Sequence, residues 1–213
     1  MIRGLPMRRI LGALPVTIAA ALTAAPAWAH HFMDNALPGT FVEGLLSGLG
    51  HPLIGVDHAA FIVATGFFLA RIKGGMWGVA ALIAGSLFGA ALHLNGIDIV
   101  GGEIGVALSV IMAGGLLMGR WRIELAWLAG GLALAGTLHG HAYAEAIFGA
   151  EATPLGAYLA GFSLMQLGVA AAAFFAHRRL IAVREAWARP VSAGLGAATG
   201  AVGVVFLTIN IVG

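Results

Sequence analysis

The side chains able to do chemistry in this sequence are histidines and acids, and they fall in a few short stretches. HPLIGVDH (residues 51–58) puts His51, Asp57 and His58 within eight residues. LHGHAYAE (138–145) holds His139, His141 and Glu145, His93 ends an apolar run, and Glu103 sits in GGEIGVALSVI. Imidazole together with carboxylate suits nickel, cobalt, zinc or copper(II), whereas magnesium and calcium favour oxygen alone. There is no cysteine, which removes disulfides, thiolate metal sites and iron–sulfur clusters together. A GxxxxGK[ST] phosphate loop is absent, so no ATP-driven step is indicated. The GLGAATG run (194–200) follows no strand pattern and is not a dinucleotide fingerprint. The chemistry on offer is reversible cation binding, that of a carrier and not an enzyme.

Composition decides what must hold these groups. Sixty per cent of the 213 residues are hydrophobic and nine per cent are charged, against about 25% charged in soluble domains. The chain is therefore expected to be an all-α membrane protein in contact with the lipid bilayer, because isolated strands cannot satisfy their backbone in hydrocarbon. Its basic residues lie in small groups under a net charge of +2, so no nucleic-acid partner is implied. Apolar windows long enough to span a bilayer recur near 53–70, 76–94, 99–118, 123–142, 155–176 and 191–212. These predict a compact bundle of six transmembrane helices over residues 30–213. Gly85/Gly89, Gly136/Gly140 and Gly196/Gly200 are spaced for close helix approach in lipid.

Residues 1–29 read as a cleaved signal peptide: Arg3, Arg8 and Arg9, then an apolar centre, then the small-x-small AWA ending at Ala29. The same stretch also fits an uncleaved anchor helix. Cleavage would expose His30 and His31 beside a free amino group, a candidate for metal capture. All eight basic residues beyond Ala29 lie in the loops after the first, third and fifth windows. The positive-inside rule then puts both mature termini outside the bacterial inner membrane. Trp77, Trp121, Trp127 and Trp187 fall near the cytoplasmic ends, and Leu180 to Trp187 is expected to lie along the inner surface. In this topology seven of the eight histidines gather at the outer face, leaving His177 inside.

Ionisable groups at membrane depth are costly and mark function. His51, Asp57, His58, His93, Glu103, His139 and His141 are therefore the candidate metal ligands. Asp57 to His93 and Glu103 to His139 are both 36 residues apart. This spacing predicts two copies of one helical hairpin delivering two acid–histidine pairs to one outer cavity. Helix geometry limits the sharing. His51 and His58 would stand about 10.5 Å apart along a continuous helix, and His139 and His141 about 200° apart around one. Pro52 is expected in a first helical turn, with His51 folding back over the helix mouth and Asp57 available to orient an imidazole.

HPLIGVDH, GGEIGVALSVI and LHGHA, with His93, resemble the HupE/UreJ family of bacterial membrane metal permeases over essentially the whole mature chain. The resemblance implies uptake of nickel, or of cobalt in some branches, supplying hydrogenase or urease maturation, with no permanently bound cofactor. The chain departs from the family at HGHAYAE, where Tyr143 stands at an expected histidine and Glu145 is displaced, and Gln166 is a weak ligand. Two other classes fit part of the pattern. Transmembrane histidine pairs can ligate haem for electron transfer, and a metal sensor or chaperone anchor would bind without transport. Metal identity, coupling ion and oligomeric state are left open.

Overall fold

A computed structural model describes residues 37–212, and their regular structure is helical throughout. The expected signal peptide, with His30 and His31, lies outside the described residues. The helices are α1 (Phe41–Ile54), α2 (Val56–Leu69), α3 (Met76–Leu94), α4 (Gly102–Met118), α5 (Leu125–Glu145), α6 (Ala152–Val183) and α7 (Glu185–Val212).

The first expected span, 53–70, is not one helix. α1 begins upstream at a capping box, in which Thr40 Oγ1 accepts from the Glu43 amide at 3.2 Å and the Glu43 carboxylate accepts from Thr40 N at 3.1 Å. α1 and α2 then meet at Gly55 with a bend of 77°. Pro52 lies in the last turn of α1, not the first turn of a span. Without an N–H it cannot bond back to the preceding turn, which favours termination there. Gly55 completes the break, since a Cβ there would collide with the His58 ring.

Glycine also sets the helix pairs. α3 runs parallel to α5: a Cβ on Gly85 or Gly89 would strike the carbonyl oxygens of Ala133 and Thr137, and one on Gly136 or Gly140 those of Leu82 and Ser86. α1 runs parallel to α6 in the same way, Gly44 and Gly48 lying against the backbone of Pro154 and Tyr158. α4 and α7 are antiparallel, with Gly114 on Gly196 and Gly203 on Ile111. Close backbone approach of this kind is how helices associate in lipid. The dominant pairs thus join helices distant in the chain and not the sequential hairpins that the 36-residue spacing predicted.

Three helices, α3, α6 and α7, are each long and apolar enough to cross a bilayer, and the bent pair α1–α2 makes a fourth candidate. α4 is apolar but has 17 residues. α5 has 21 but carries Thr137, His139, His141, Tyr143 and Glu145 in its second half. The short surface helix expected over Leu180–Trp187 is not formed. α6 continues to Val183, the backbone breaks at Arg184, and α7 starts at Glu185. Trp77, Trp121, Trp127 and Trp187 are all exposed, as a belt at one end of the bundle requires.

Two apolar cores divide the interior. One gathers Phe61, Phe68, Leu69, Val79, Leu82 and Leu132, and the other gathers Ala90, Tyr143, Ile147, Tyr158 and Phe162. Along α3, α5 and α6 a buried polar residue separates the two: Ser86, His139 and Gln166.

Candidate metal centre

Because α1 and α2 are bent, the two ends of HPLIGVDH face one another. The His51 and His58 rings are 6.1 Å apart between centroids, well inside their separation along a straight helix. His51 comes from the last turn of α1, and Asp57 and His58 from the first turn of α2. α5 contributes His139 and Tyr143, α4 contributes Ser109, and α6 contributes Tyr158. Asp57 is 2% exposed, His58 3% and His139 1%.

For neutral rings the hydrogen bonds set donor and acceptor as follows. Ser109 Oγ donates to Val106 O at 2.7 Å, so it accepts from His139 Nε2–H at 2.8 Å. His139 Nδ1 is then an acceptor, and His58 Nδ1–H donates to it at 2.8 Å. Tyr158 Oη donates to Tyr143 O at 2.6 Å, so it accepts from His51 Nδ1–H at 2.9 Å. These bonds occupy Nδ1 of both histidines of the motif, so Nε2 is the atom that each ring, when neutral, would turn to a metal. Phe61 stacks on His139 at 4.3 Å and 19°, and Tyr143 packs edge-on to His58 at 4.6 Å.

Asp57 is the costly member. Its Oδ2 is 3.9 Å from His58 Nδ1, too far for a hydrogen bond, and its buried Oδ1 has no hydrogen-bond partner among the described residues. The amides at the start of α2 offset part of that charge. A carboxylate placed this way is prepared for a cation, since an unpaired buried charge costs several kcal/mol. Below it Ser86 Oγ, which donates to Leu82 O at 3.1 Å, meets the Gln166 side-chain amide at 3.0 Å.

A second group lies at the C-terminal ends of α3 and α5. His93 Nδ1 and His141 Nε2 are 3.3 Å apart, and Asp98 Oδ1 lies 3.5 Å from the first and 3.9 Å from the second. Both rings are largely covered, while the Asp98 side chain is 80% exposed. Beside them a polar cleft of about 300 Å³ is lined by Glu103, His141, Glu145 and Asn210.

The seven candidate residues within the described chain thus fall into two groups and a cleft wall. His51, Asp57, His58 and His139 are brought together at the helix break. His93 and His141 join Asp98, and Glu103 lines the cleft. The two expected acid–histidine pairs do not converge: Asp57 sits with His139, and His93 with His141. The opposed directions of His139 and His141 around α5 are realised. Sequence reasoning passed over Ser109 and Tyr158, since a lone hydroxyl in an apolar helix carries no signal of its own. It also left Asp98 out of the ligand set. The Asn95-Gly96 turn, which can fold the chain back over the end of α3, was the available clue.

The family described as HupE / UreJ protein matches residues 18–206, and the chain belongs to that family. It is similar to Protein HupE of Rhizobium leguminosarum bv. viciae, 32% identical over 130 residues. That match covers 60% of this chain and 65% of the relative, so the chain spans somewhat less than two thirds of the relative's length. No solved structure matches.

Proposed function

We propose that this HupE/UreJ member is a secondary permease that takes up a divalent transition-metal ion, nickel first and cobalt second, across the bacterial inner membrane. Six crossings with both mature ends outside complete the reading, and supply of hydrogenase or urease maturation is its proposed context. The observation that carries it is the helix break at Gly55, where the buried Asp57 carboxylate stands among His51, His58 and His139. Discontinuous helices with ionisable groups at their broken ends are how many transporters build ion sites at membrane depth. The metal is cargo. Imidazole Nε2 atoms replace its waters and Asp57 balances part of its charge, while the tyrosines and Ser109 hold the rings in position. An interior-negative potential supplies about 2.3 kcal/mol per charge per 100 mV, hence about 4.6 kcal/mol for a divalent ion. That supports accumulation of roughly three orders of magnitude without ATP.

Haem ligation is disfavoured by the geometry. His58 and His139 approach to hydrogen-bonding distance, which leaves no slot for a macrocycle between them. His177 is engaged by the Phe67 carbonyl at 2.6 Å and Ser192 Oγ at 3.1 Å. The test is nickel uptake into proteoliposomes by the full chain and by His58→Ala. A fall of at least about tenfold in the variant is expected, taking ligand loss to cost no less than outer-shell loss. Equal flux in the two would refute the site. Stoichiometric nickel binding without flux in either would point to a sensor.

A further inference from the structure

We propose that His93, Asp98 and His141, together with the Ile97 carbonyl, form a second metal site, separate from the one at the helix break. It is an outer capture site for a borderline divalent cation, and it deepens the uptake reading above by giving the ion a station before the membrane interior.

Distances come first. Two donors bound to one ion, each about 2.0–2.2 Å from it, lie about 3.0–4.2 Å apart depending on the angle between them. The three separations here are 3.3, 3.5 and 3.9 Å, and all three ligand atoms lie within 4.8 Å of one another. An ion would fit with sub-ångström adjustment.

The hydrogen-bond inventory is the second argument. Ile99 N–H donates to His141 Nε2 at 3.2 Å, which makes that nitrogen a lone-pair acceptor. Yet the same nitrogen faces the Ile97 carbonyl at 3.2 Å and Asp98 Oδ1 at 3.9 Å, both acceptors, and His93 Nδ1 at 3.3 Å. His141 Nε2, the Ile97 carbonyl and Asp98 Oδ1 are three acceptors that meet near His93 Nδ1, which can offer one proton, and among the described residues only His141 Nε2 has a second donor, the Ile99 N–H. A cation that took the His141 Nε2 lone pair in place of the Ile99 N–H would answer all three acceptors at once. Two imidazole nitrogens with two oxygens is a donor set for nickel, cobalt, zinc or copper(II), and a poor one for calcium or magnesium.

The third argument is the frame. His93 and His141 project from α3 and α5, the pair held backbone to backbone by four glycines. Asp98 and Ile97 come from the loop between α3 and α4. Gly96 and Gly101 take φ of +74° and +75° there, a conformation other residues rarely adopt, and Asn95 Nδ2 caps Ala91 O at 2.7 Å. The loop is thus shaped to return an acid over the end of its own helix. One carboxylate against a divalent ion leaves the site net positive, which suits exchange more than storage. The exposed Asp98 and the cleft with Glu103 and Glu145 give the ion a way in and a next set of oxygens.

Separation from the helix-break site follows from α5 itself, because His139 and His141 point about 200° apart. No single ion can take both.

Equilibrium dialysis of nickel against the purified full chain, in a His30→Ala/His31→Ala background so that the terminus adds no ligand, tests this. Two ions per chain are expected. Asp98→Ala, a change at an exposed loop position with little bearing on folding, should weaken one of them by about tenfold or more, again taking outer-shell loss as the floor. His93→Ala/His141→Ala should remove that ion and leave the other. An isotherm unchanged in both variants overturns the proposal. So does loss of the same single ion in Asp98→Ala and His58→Ala, which would mean one shared site. If His58→Ala keeps both ions while Asp98→Ala weakens one, the helix-break reading fails and the outer site stands.

Discussion

Asp57 shows at the scale of one residue how binding sets itself against stability. Its carboxylate is buried, 3.9 Å from the His58 nitrogen, with one oxygen unbonded among the described residues. Removing a buried charge that lacks a hydrogen-bonded partner relieves a desolvation cost. Asp57→Asn should therefore leave the thermal unfolding temperature in detergent unchanged or raised while abolishing nickel uptake. A variant that loses both would show the carboxylate to be a folding element. Tyr158→Phe probes the supporting shell. It removes the hydroxyl bonded to His51 Nδ1, and it should weaken nickel binding by roughly tenfold with little loss of helix content by circular dichroism. The ligand-capable residues were legible in the sequence because charge and imidazole are rare in so apolar a chain. The hydroxyls that orient them were not, because Ser109 and Tyr158 gain meaning only from histidines on other helices. The divergence of His139 and His141 was legible, being set by the helical period alone.

At the scale of the element, the break between α1 and α2 is what the sequence concealed. Pro52 and Gly55 were visible, but proline is favoured at the first turn of a helix and can also break one further along. A window average of hydropathy does not register a 77° bend. α1 was passed over because Glu43, Ser47 and His51 dilute its apolar character. Gly55→Ala puts a Cβ against the His58 ring, so it should reduce nickel uptake more than it reduces stability. The comparison is uptake rate against unfolding temperature, and a matched loss of both would make Gly55 merely structural. The glycine pairs were readable as packing signals, yet not their partners. Spacing on one helix says that something approaches closely, and not which helix does. Gly140→Leu would drive a side chain into the Ser86 backbone and separate α3 from α5. Overpacking of this kind typically costs about 1–3 kcal/mol, and here it should also blunt metal binding by pulling His93 from His141.

At the scale of the whole molecule, the relative directions of these pairs bear on the proposed path through the membrane. α3 parallel to α5, α1 parallel to α6 and α4 antiparallel to α7 are the relations an alternating path produces, in keeping with the loop charges. The chain has no cysteine of its own, so single cysteines report accessibility cleanly. Asn95→Cys should react with an impermeant maleimide added outside intact cells, and Lys73→Cys only after the membrane is opened. The reverse pattern would invert the proposed route. The sequence suggests the alternation because arginine and lysine cluster in alternate loops. It did not reveal the layering, in which one polar stratum (Ser86, His139 and Gln166) lies between two apolar ones. Beneath His139, beginning with the stacked ring of Phe61, the interior is chiefly hydrocarbon through Phe68, Leu69 and Leu132. These residues also line an apolar cavity of about 440 Å³, and an apolar space of this kind stays dry and stops ions. Set across the proposed route past His139, that floor would make the resting protein an insulator, with most of the membrane voltage dropping across it. The electrical work of the proposed uptake would then be done where the floor wets. Phe61→Ser should short this circuit, appearing as a metal-independent proton leak in dye-loaded vesicles.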